Sequence, residues 1–221
     1  MRVARPFSLE LEYQRQMMAV GLFLPEPRRI VQLGLGAAAL TKFCWYEVSS
    51  ASIVAVELSV DVIDAAHAWF CLPPDDARLN IVNADARKFI SHPRQHGLAD
   101  WLQVDLYDAA ARGPVYDDVA FYRACRKALR APGVASFNLF GARFDPSFAA
   151  IASAFDDRAL VLPEVDAGNR VVLAIVGPPL DVPFAALDRR ARELEARWNL
   201  KARGWVAGLR RANVFGASFE L

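Results

Sequence analysis

Residues 158–177 read RALVLPEVDAGNRVVLAIVG: two strand-like apolar runs with only Asp166, Ala167 and Gly168 between them. Parallel neighbours in a sheet need a crossover of about a dozen residues or more, so so short a link forces this pair to run antiparallel. Upstream the chain has the opposite habit. Strand-like runs at RIVQLGL (29–35), SIVAVEL (52–58), RLNIVNAD (78–85), ADWLQVDLYD (99–108) and PGVASFNLF (132–140) alternate with stretches of helical spacing. Those are AAALTKFCWYEV (37–48), VDVIDAAHAWF (60–70), ARKFISH (86–92) and DDVAFYRACRKAL (117–129). Nearly continuous apolar strands joined by helices predict an α/β fold: a doubly wound, mostly parallel sheet with helices on both faces. Pro132-Gly133 reads as the turn that opens the fifth strand. With the hairpin the sheet has seven strands, and FAALDRRARELEARW (184–198) follows as an amphipathic helix with a charged face.

At 221 residues and 54% hydrophobic content the chain is expected to form a single domain over residues 30–221. Residues 1–29 read as a lead-in, with Pro25 and Pro27 stopping a short helix. Twenty-six Lys and Arg against 25 Asp and Glu leave no global field for nucleic acid or a membrane surface. The apolar run MMAVGLFL (17–24) is too short for a span and lacks a cleavage site, so a cytoplasmic location is expected. Cys44, Cys71 and Cys125 are scattered, and read as buried small hydrophobes in a reducing compartment. His67, His92 and His96 lack metal-ligand spacing, so no metal is expected. Trp69 and Phe70 read as core, and the arginines at 189, 190, 192 and 197 as a solvated helix face.

Ligands of open parallel sheets bind outside the carboxyl ends of the strands, at the switch point. Strand one ends in Gly34 and Gly36, glycines that allow close approach to the backbone before a helix begins near Ala38. Strand two ends in Glu57, at the distance where an acid accepts the hydroxyls of a ribose. Taken alone these suit a nicotinamide dinucleotide as well as an adenosyl group. Strand three ends at Asp85, placed to accept from an adenine amino group, while strand four ends in Asp105 and Asp108. Asp105 follows Trp101, Leu102 and Val104, so its carboxylate is expected to be partly desolvated and its pKa open to tuning. Asn138, ending strand five, is a weaker candidate for the crevice.

A doubly wound sheet with a terminal antiparallel hairpin is the shape of the Rossmann-like S-adenosylmethionine-dependent transferases. From Tyr13 to about Gly177 the chain resembles, more narrowly, the spermidine synthase (polyamine aminopropyltransferase) family and its bacterial spermidine synthase-like relatives. The matching pieces, in order, are YQRQMM (13–18), LGLGAAAL (33–40), VAVELSVDVIDAAHAWFCLP (54–73), NADARKFI (83–90), VDLYDA (104–109) and FYRACRKALRAPGVASFNLF (121–140). The resemblance implies transfer of an aminopropyl group from decarboxylated S-adenosylmethionine to an amine such as putrescine. It assigns Asp105 as the catalytic acid of the family's D-x-x-D motif. Asp108 is its second, polyamine-binding acid, and Tyr13 the substrate-pocket tyrosine with Gln14 beside it. Gly34, Gly36, Glu57, Asp85 and Ala86 become the adenosyl site. A homodimer is consistent with the family.

The departures are specific. The family's Gly-Gly-Gly-Asp-Gly-Gly loop, whose acid helps hold the cofactor's amine, is Gly-Leu-Gly-Ala-Ala-Ala at 34–39. The proline after the second motif acid is Ala109, and too few residues precede Tyr13 for the N-terminal β-hairpin domain. Three rivals stay open: a methyltransferase using intact S-adenosylmethionine on a small molecule, an NAD-dependent oxidoreductase, and a degenerate scaffold. An intact cofactor has a carboxylate that needs donors, and Lys42 is the cation near the loop.

Overall fold

The structure is a computed structural model that describes residues 2, 4–108, 110, 113–141, 143–166 and 168–213, with the backbone alone at 218–220. Ala109 therefore lies outside the described residues. The chain begins with a short helix, α1 (Glu12–Met17), continued as a 3-10 turn over Met18–Leu22. Then strand and helix alternate: β1 (Arg29–Leu33), α2 (Ala39–Glu47), β2 (Ser52–Glu57), α3 (Val60–Trp69), β3 (Leu79–Asn83), α4 (Ala86–Ser91), β4 (Ala99–Val104), α5 (Val119–Ala128) and β5 (Leu129–Phe140). Helix α6 (Phe144–Ala154) leads to the hairpin β6 (Ala159–Val161) and β7 (Asn169–Val176), followed by α7 (Phe184–Trp198) and α8 (Ala202–Ala212). A two-stranded ribbon pairs Asp181–Pro183 with Ser218–Glu220.

The sheet has seven strands in the order β3-β2-β1-β4-β5-β7-β6. β1 to β5 are parallel, and β7 runs antiparallel to both β5 and β6, as a connection of only seven residues, 162–168, requires. The strand order reverses at β1, so the carboxyl ends of β1 and β4 flank the switch point.

Side chains alternate across each strand and build a core on either face. Ile30, Ala55 and Trp101 pack with α2, α7, α8 and the 3-10 turn. Val31, Leu33, Val54, Val56, Leu102 and Val104 pack with α4, α5 and α6. The segment read as a lead-in is part of the first core, with Leu9, Met17, Met18 and Val20 buried in it. Two buried glutamines of the sheet and a buried helix threonine are paired: Gln32 Nε2 donates to Gln103 Oε1 at 2.8 Å, and Thr41 Oγ1 to Gln32 Oε1 at 2.7 Å. This joins β1, β4 and α2 beneath the turn that follows β1.

Several expectations are corrected. β5 starts at Leu129, with Pro132-Gly133 inside a register irregularity opposite Ala99 and Trp101 rather than in a turn before the strand. Asp100 accepts from the amides of Arg28 and Arg29 and from the Arg130 guanidinium, pinning that irregularity to β1. Trp69 is 77% exposed, because α3 buries chiefly Ala66. Cys71 is exposed where Cys44 and Cys125 are buried. Helices α6 and α8 are not announced by the sequence pattern, since Pro146 near the start of the one and two glycines in the other blur their period. Among the described residues no helix is long and apolar enough to cross a membrane, and no group of His, Cys, Asp or Glu could hold a metal ion.

Candidate functional site

Asp105 follows β4 directly and is half-buried at the switch point. Its amide donates to Leu33 O at 3.0 Å, so the β1–β4 ladder fixes where its side chain starts. The two carboxylate oxygens have separate partners. Tyr13 Oη donates to Oδ2 at 3.3 Å and Asn138 Nδ2 to Oδ1 at 2.9 Å. Gln14 Nε2 donates in turn to Tyr13 Oη at 3.4 Å. Burial pushes the Asp105 carboxyl above the usual carboxylate range, and the bonds from Asn138 and Tyr13 oppose that rise. Burial, then the charge of Asp105, push the Tyr13 phenol upward, so it stays a neutral donor at any physiological pH.

Beside this cluster lies a cavity of about 260 Å³ lined by Tyr13, Tyr107, Asn138, Phe140 and Asn169. Three aromatic rings and two amides make an apolar sleeve with polar points, suited to a small amine stripped of much of its water. The Tyr107 hydroxyl and the Asn138 amide are buried there and adjacent; burial pushes the Tyr107 phenol up, and its contact with Asn138 opposes that rise. Tyr107 lies between the two motif acids, yet its role was not readable in the sequence; Phe140 and Asn169 come together only through the β5–β7 register. Asp166 was missed as well. Its carboxylate accepts the Tyr13 amide at 2.6 Å, and Gln16 Nε2 donates to Pro163 O at 3.1 Å, so the β6–β7 connection holds α1 in two places.

The expected adenosyl residues lie along the carboxyl edge in strand order. The two glycines of the β1 turn have different reasons. Gly34 has φ +94°, and a Cβ there would stand 2.2 Å from Asp105 O, so its lack of a side chain is accounted for within the chain. Gly36 has φ +51° and open space where its Cβ would be. Glu57, half-buried, accepts the amides of Leu35 and Ser59, both at 3.0 Å, and so braces the turn from β2. Asp85 caps α4 through Lys88 N–H at 2.7 Å and also accepts the Tyr116 hydroxyl. Burial opposes ionisation of Asp85, but those bonds outweigh it and hold its carboxyl below the usual range. The Ala86 methyl is in the core, which leaves its backbone for any ligand contact. Asp108 Oδ1 accepts Ala110 N–H at 2.9 Å in a local turn, and the described bonds do not bring Asp108 into the Tyr13–Asp105–Asn138 cluster. Lys42 is fully buried, its ammonium donating to Phe70 O.

This arrangement pairs a half-buried carboxylate and a small aromatic cavity with an open glycine turn one strand away. A polyamine aminopropyltransferase of Chromobacterium violaceum is 31% identical over 210 residues, covering 94% of this chain and 80% of that protein. The chain belongs to the polyamine aminopropyltransferase family. It is thus a member of a transferase family, although no protein-family model matches it. The fold agrees. A spermidine synthase solved with the transition-state analogue AdoDATO superposes with a TM-score of 0.71 at 21% identity, over 90% of this chain and 73% of that one. Human methyltransferase-like protein 13, solved with SAH, gives 0.73 at 20% identity, over 85% of this chain and 92% of that one. The chain has the Rossmann-like fold common to aminopropyl- and methyltransferases.

Proposed function

We propose that the chain transfers an aminopropyl group from decarboxylated S-adenosylmethionine to a small amine such as putrescine. The observation that carries this reading is the state of Asp105: half-buried, at the switch point, raised in pKa, and gripped at both oxygens beside an amine-sized cavity. The sulfonium supplies an activated methylene carbon with a thioether as leaving group. An alkyl ammonium cannot attack that carbon until it loses a proton, and Asp105 takes it. Tyr13 holds Asp105 Oδ2 in place and, with Tyr107 and Phe140, walls the amine. The amine's lone pair then forms the C–N bond and the C–S pair returns to sulfur, releasing methylthioadenosine.

For the co-substrate, Gly36 leaves room above the turn, and Glu57 and Asp85 keep carboxylate lone pairs for the ribose hydroxyls and the adenine amino group. Asp108 is proposed to attract the amine's distal cation. Lys42 bears on the choice between the two forms of the co-substrate. With its ammonium turned into the core against Phe70 O, it is not placed to meet the carboxylate of an intact methionine moiety. That favours the decarboxylated form over a methyl donor.

The test is calorimetry with decarboxylated S-adenosylmethionine, S-adenosylmethionine, methylthioadenosine and NAD in parallel. The decarboxylated form should bind at least about tenfold more tightly than the intact one, the consequence of burying a carboxylate without a donor. Tight NAD binding with no adenosyl-sulfonium binding would overturn the reading.

A further inference from the structure

We infer that Gln103, oriented by Gln32, is a positioning residue that fixes helix α1 against β4 so that the Tyr13 hydroxyl meets Asp105; the inference rests on the aminopropyl-transfer reading. Gln103 Nε2 donates to Met17 O, the last carbonyl of α1, at 3.4 Å and meets Met18 Sδ at 3.5 Å. The spacing of this contact matches that of the Tyr13–Asp105 bond. Tyr13 and Met17 are four residues apart on a helix, about 6 Å along its axis. Gln103 and Asp105 are two residues apart, and the Asp105 amide continues the ladder to β1. They therefore share one face of the sheet, about 6.6 Å apart along the strand. Helix and strand run antiparallel and touch at two rungs, Tyr13 on Asp105 and Met17 on Gln103. The lower rung fixes the slide of α1 along β4, and with it the height of the Tyr13 hydroxyl.

The polarity of the lower rung is forced. Met17 O is a carbonyl and only accepts, so Gln103 must present its N–H₂ there and turn Oε1 the other way. Oε1 then takes Gln32 Nε2 at 2.8 Å, from the residue directly opposite in the β1–β4 register. Gln32 Oε1 takes the Thr41 hydroxyl of α2 at 2.7 Å. Gln103 and Gln32 are 1% and 2% exposed, yet every atom of the two amides that can bond has a partner. Nothing in this chain of bonds waits for a ligand.

Stability does not account for the pair. The inner strands of a parallel sheet ordinarily hold aliphatic side chains at such positions, and two leucines would fill the space with no amide to desolvate. Exchanging both members of a buried hydrogen bond for apolar groups of like shape is close to neutral. What the amides add is direction: an apolar contact at this rung lets α1 slide, and the donated bond holds it. Two other ties on α1, from Asp166 to the Tyr13 amide and from Gln16 to Pro163 O, lead to the β6–β7 connection. Gln103 ties α1 to the strand that leads into Asp105 itself.

The experiment compares Gln103→Leu with the double variant Gln32→Leu/Gln103→Leu, each in the full chain. It measures Tm, the titration of Asp105 by NMR of isotope-labelled aspartate, and kcat/KM for transfer from decarboxylated S-adenosylmethionine to putrescine. Gln103→Leu strands the Gln32 amide and should lower Tm; the double variant should recover most of that loss. In both, Asp105 should titrate at higher pH than in the wild type, because the Tyr13 bond lowers its pKa and its loss leaves burial less opposed. kcat/KM should fall about tenfold in both, with methylthioadenosine affinity unchanged. In a Tyr13→Phe background the double variant should shift the Asp105 titration no further. A double variant whose Asp105 titrates as in the wild type overturns the inference, whatever its Tm. If the wild type transfers nothing, the aminopropyl-transfer reading fails alone, and the Asp105 titrations still decide the role of Gln103.

Discussion

The backbone amide of Tyr13 donates to the carboxylate of Asp166 at 2.6 Å, a bond between residues 153 positions apart. Asp166 itself adopts φ +45°, a conformation Asp tolerates better than most residues. Through this bond the β6–β7 connection sets the origin of the side chain whose hydroxyl reaches Asp105. Asp166→Ala should lower transfer about tenfold, and Asp166→Asn, which keeps an acceptor oxygen, should restore most of it. In a Tyr13→Phe background Asp166→Ala should add little, since both changes interrupt one path. Fully additive losses would show that Asp166 does not act through Tyr13.

Function at Asp105 is set against stability. Its carboxyl titrates above the ordinary value of 3.8 in the folded chain, because burial disfavours the charge. A carboxyl raised by folding binds its proton more tightly in the native state, so it costs stability progressively as the pH rises above 3.8, and in full once the pH exceeds the native pKa. Asp105→Asn should therefore raise Tm at pH 7, and the gain should vanish as pH falls through the native pKa toward 3.8. Thermal unfolding across that range checks the sign. A variant less stable than wild type at pH 7 would mean that the bonds from Tyr13 and Asn138 outweigh burial.

The β1 turn separates two glycines. Gly34→Ala drives a methyl into Asp105 O and should destabilise the fold by about 3 kcal/mol, displacing Asp105. Gly36→Ala meets no atom and should cost only about 1 kcal/mol, the penalty of a left-handed alanine. Its effect should instead appear as weaker binding of methylthioadenosine. Wild-type affinity in a folded Gly36→Ala protein would place the adenosyl group away from this turn.

Much of this was legible in the sequence because it depends on strand order and strand ends. The apolar runs and the link at 166–168 dictated the sheet, and the acids at 57, 85 and 105 announced its carboxyl edge. What was hidden depends on register between distant segments. Nothing near Asn138 in the chain says that it faces Asp105, and nothing near Asp166 says that it holds Tyr13. Trp69 fits a helical apolar pattern, yet only the packing of α3 decides that it faces solvent.

Asp85 is engaged before any ligand arrives. The Tyr116 hydroxyl bonds its second oxygen, and the Arg87 guanidinium lies 4.5 Å above the Tyr116 ring while pairing with Asp118. On the proposed reading, an adenine amino group at Asp85 would share that oxygen with the phenol. Tyr116→Phe should tighten methylthioadenosine binding by roughly two- to tenfold, the worth of one modest hydrogen bond no longer in competition. Unchanged affinity in titration calorimetry would leave Asp85 as a helix cap alone.

The central claim is that Asp105 accepts the proton of an amine that attacks an aminopropyl donor. The most direct test is mass-spectrometric detection of product from decarboxylated S-adenosylmethionine and putrescine, with wild type and Asp105→Asn in parallel. The wild type should yield putrescine extended by one aminopropyl group, with an equal amount of methylthioadenosine. Asp105→Asn should be slower by roughly 10²–10⁴-fold at saturating co-substrate, with methylthioadenosine affinity little changed. Equal rates for the two proteins, or a methylated amine formed from intact S-adenosylmethionine in place of the aminopropylated one, would contradict it.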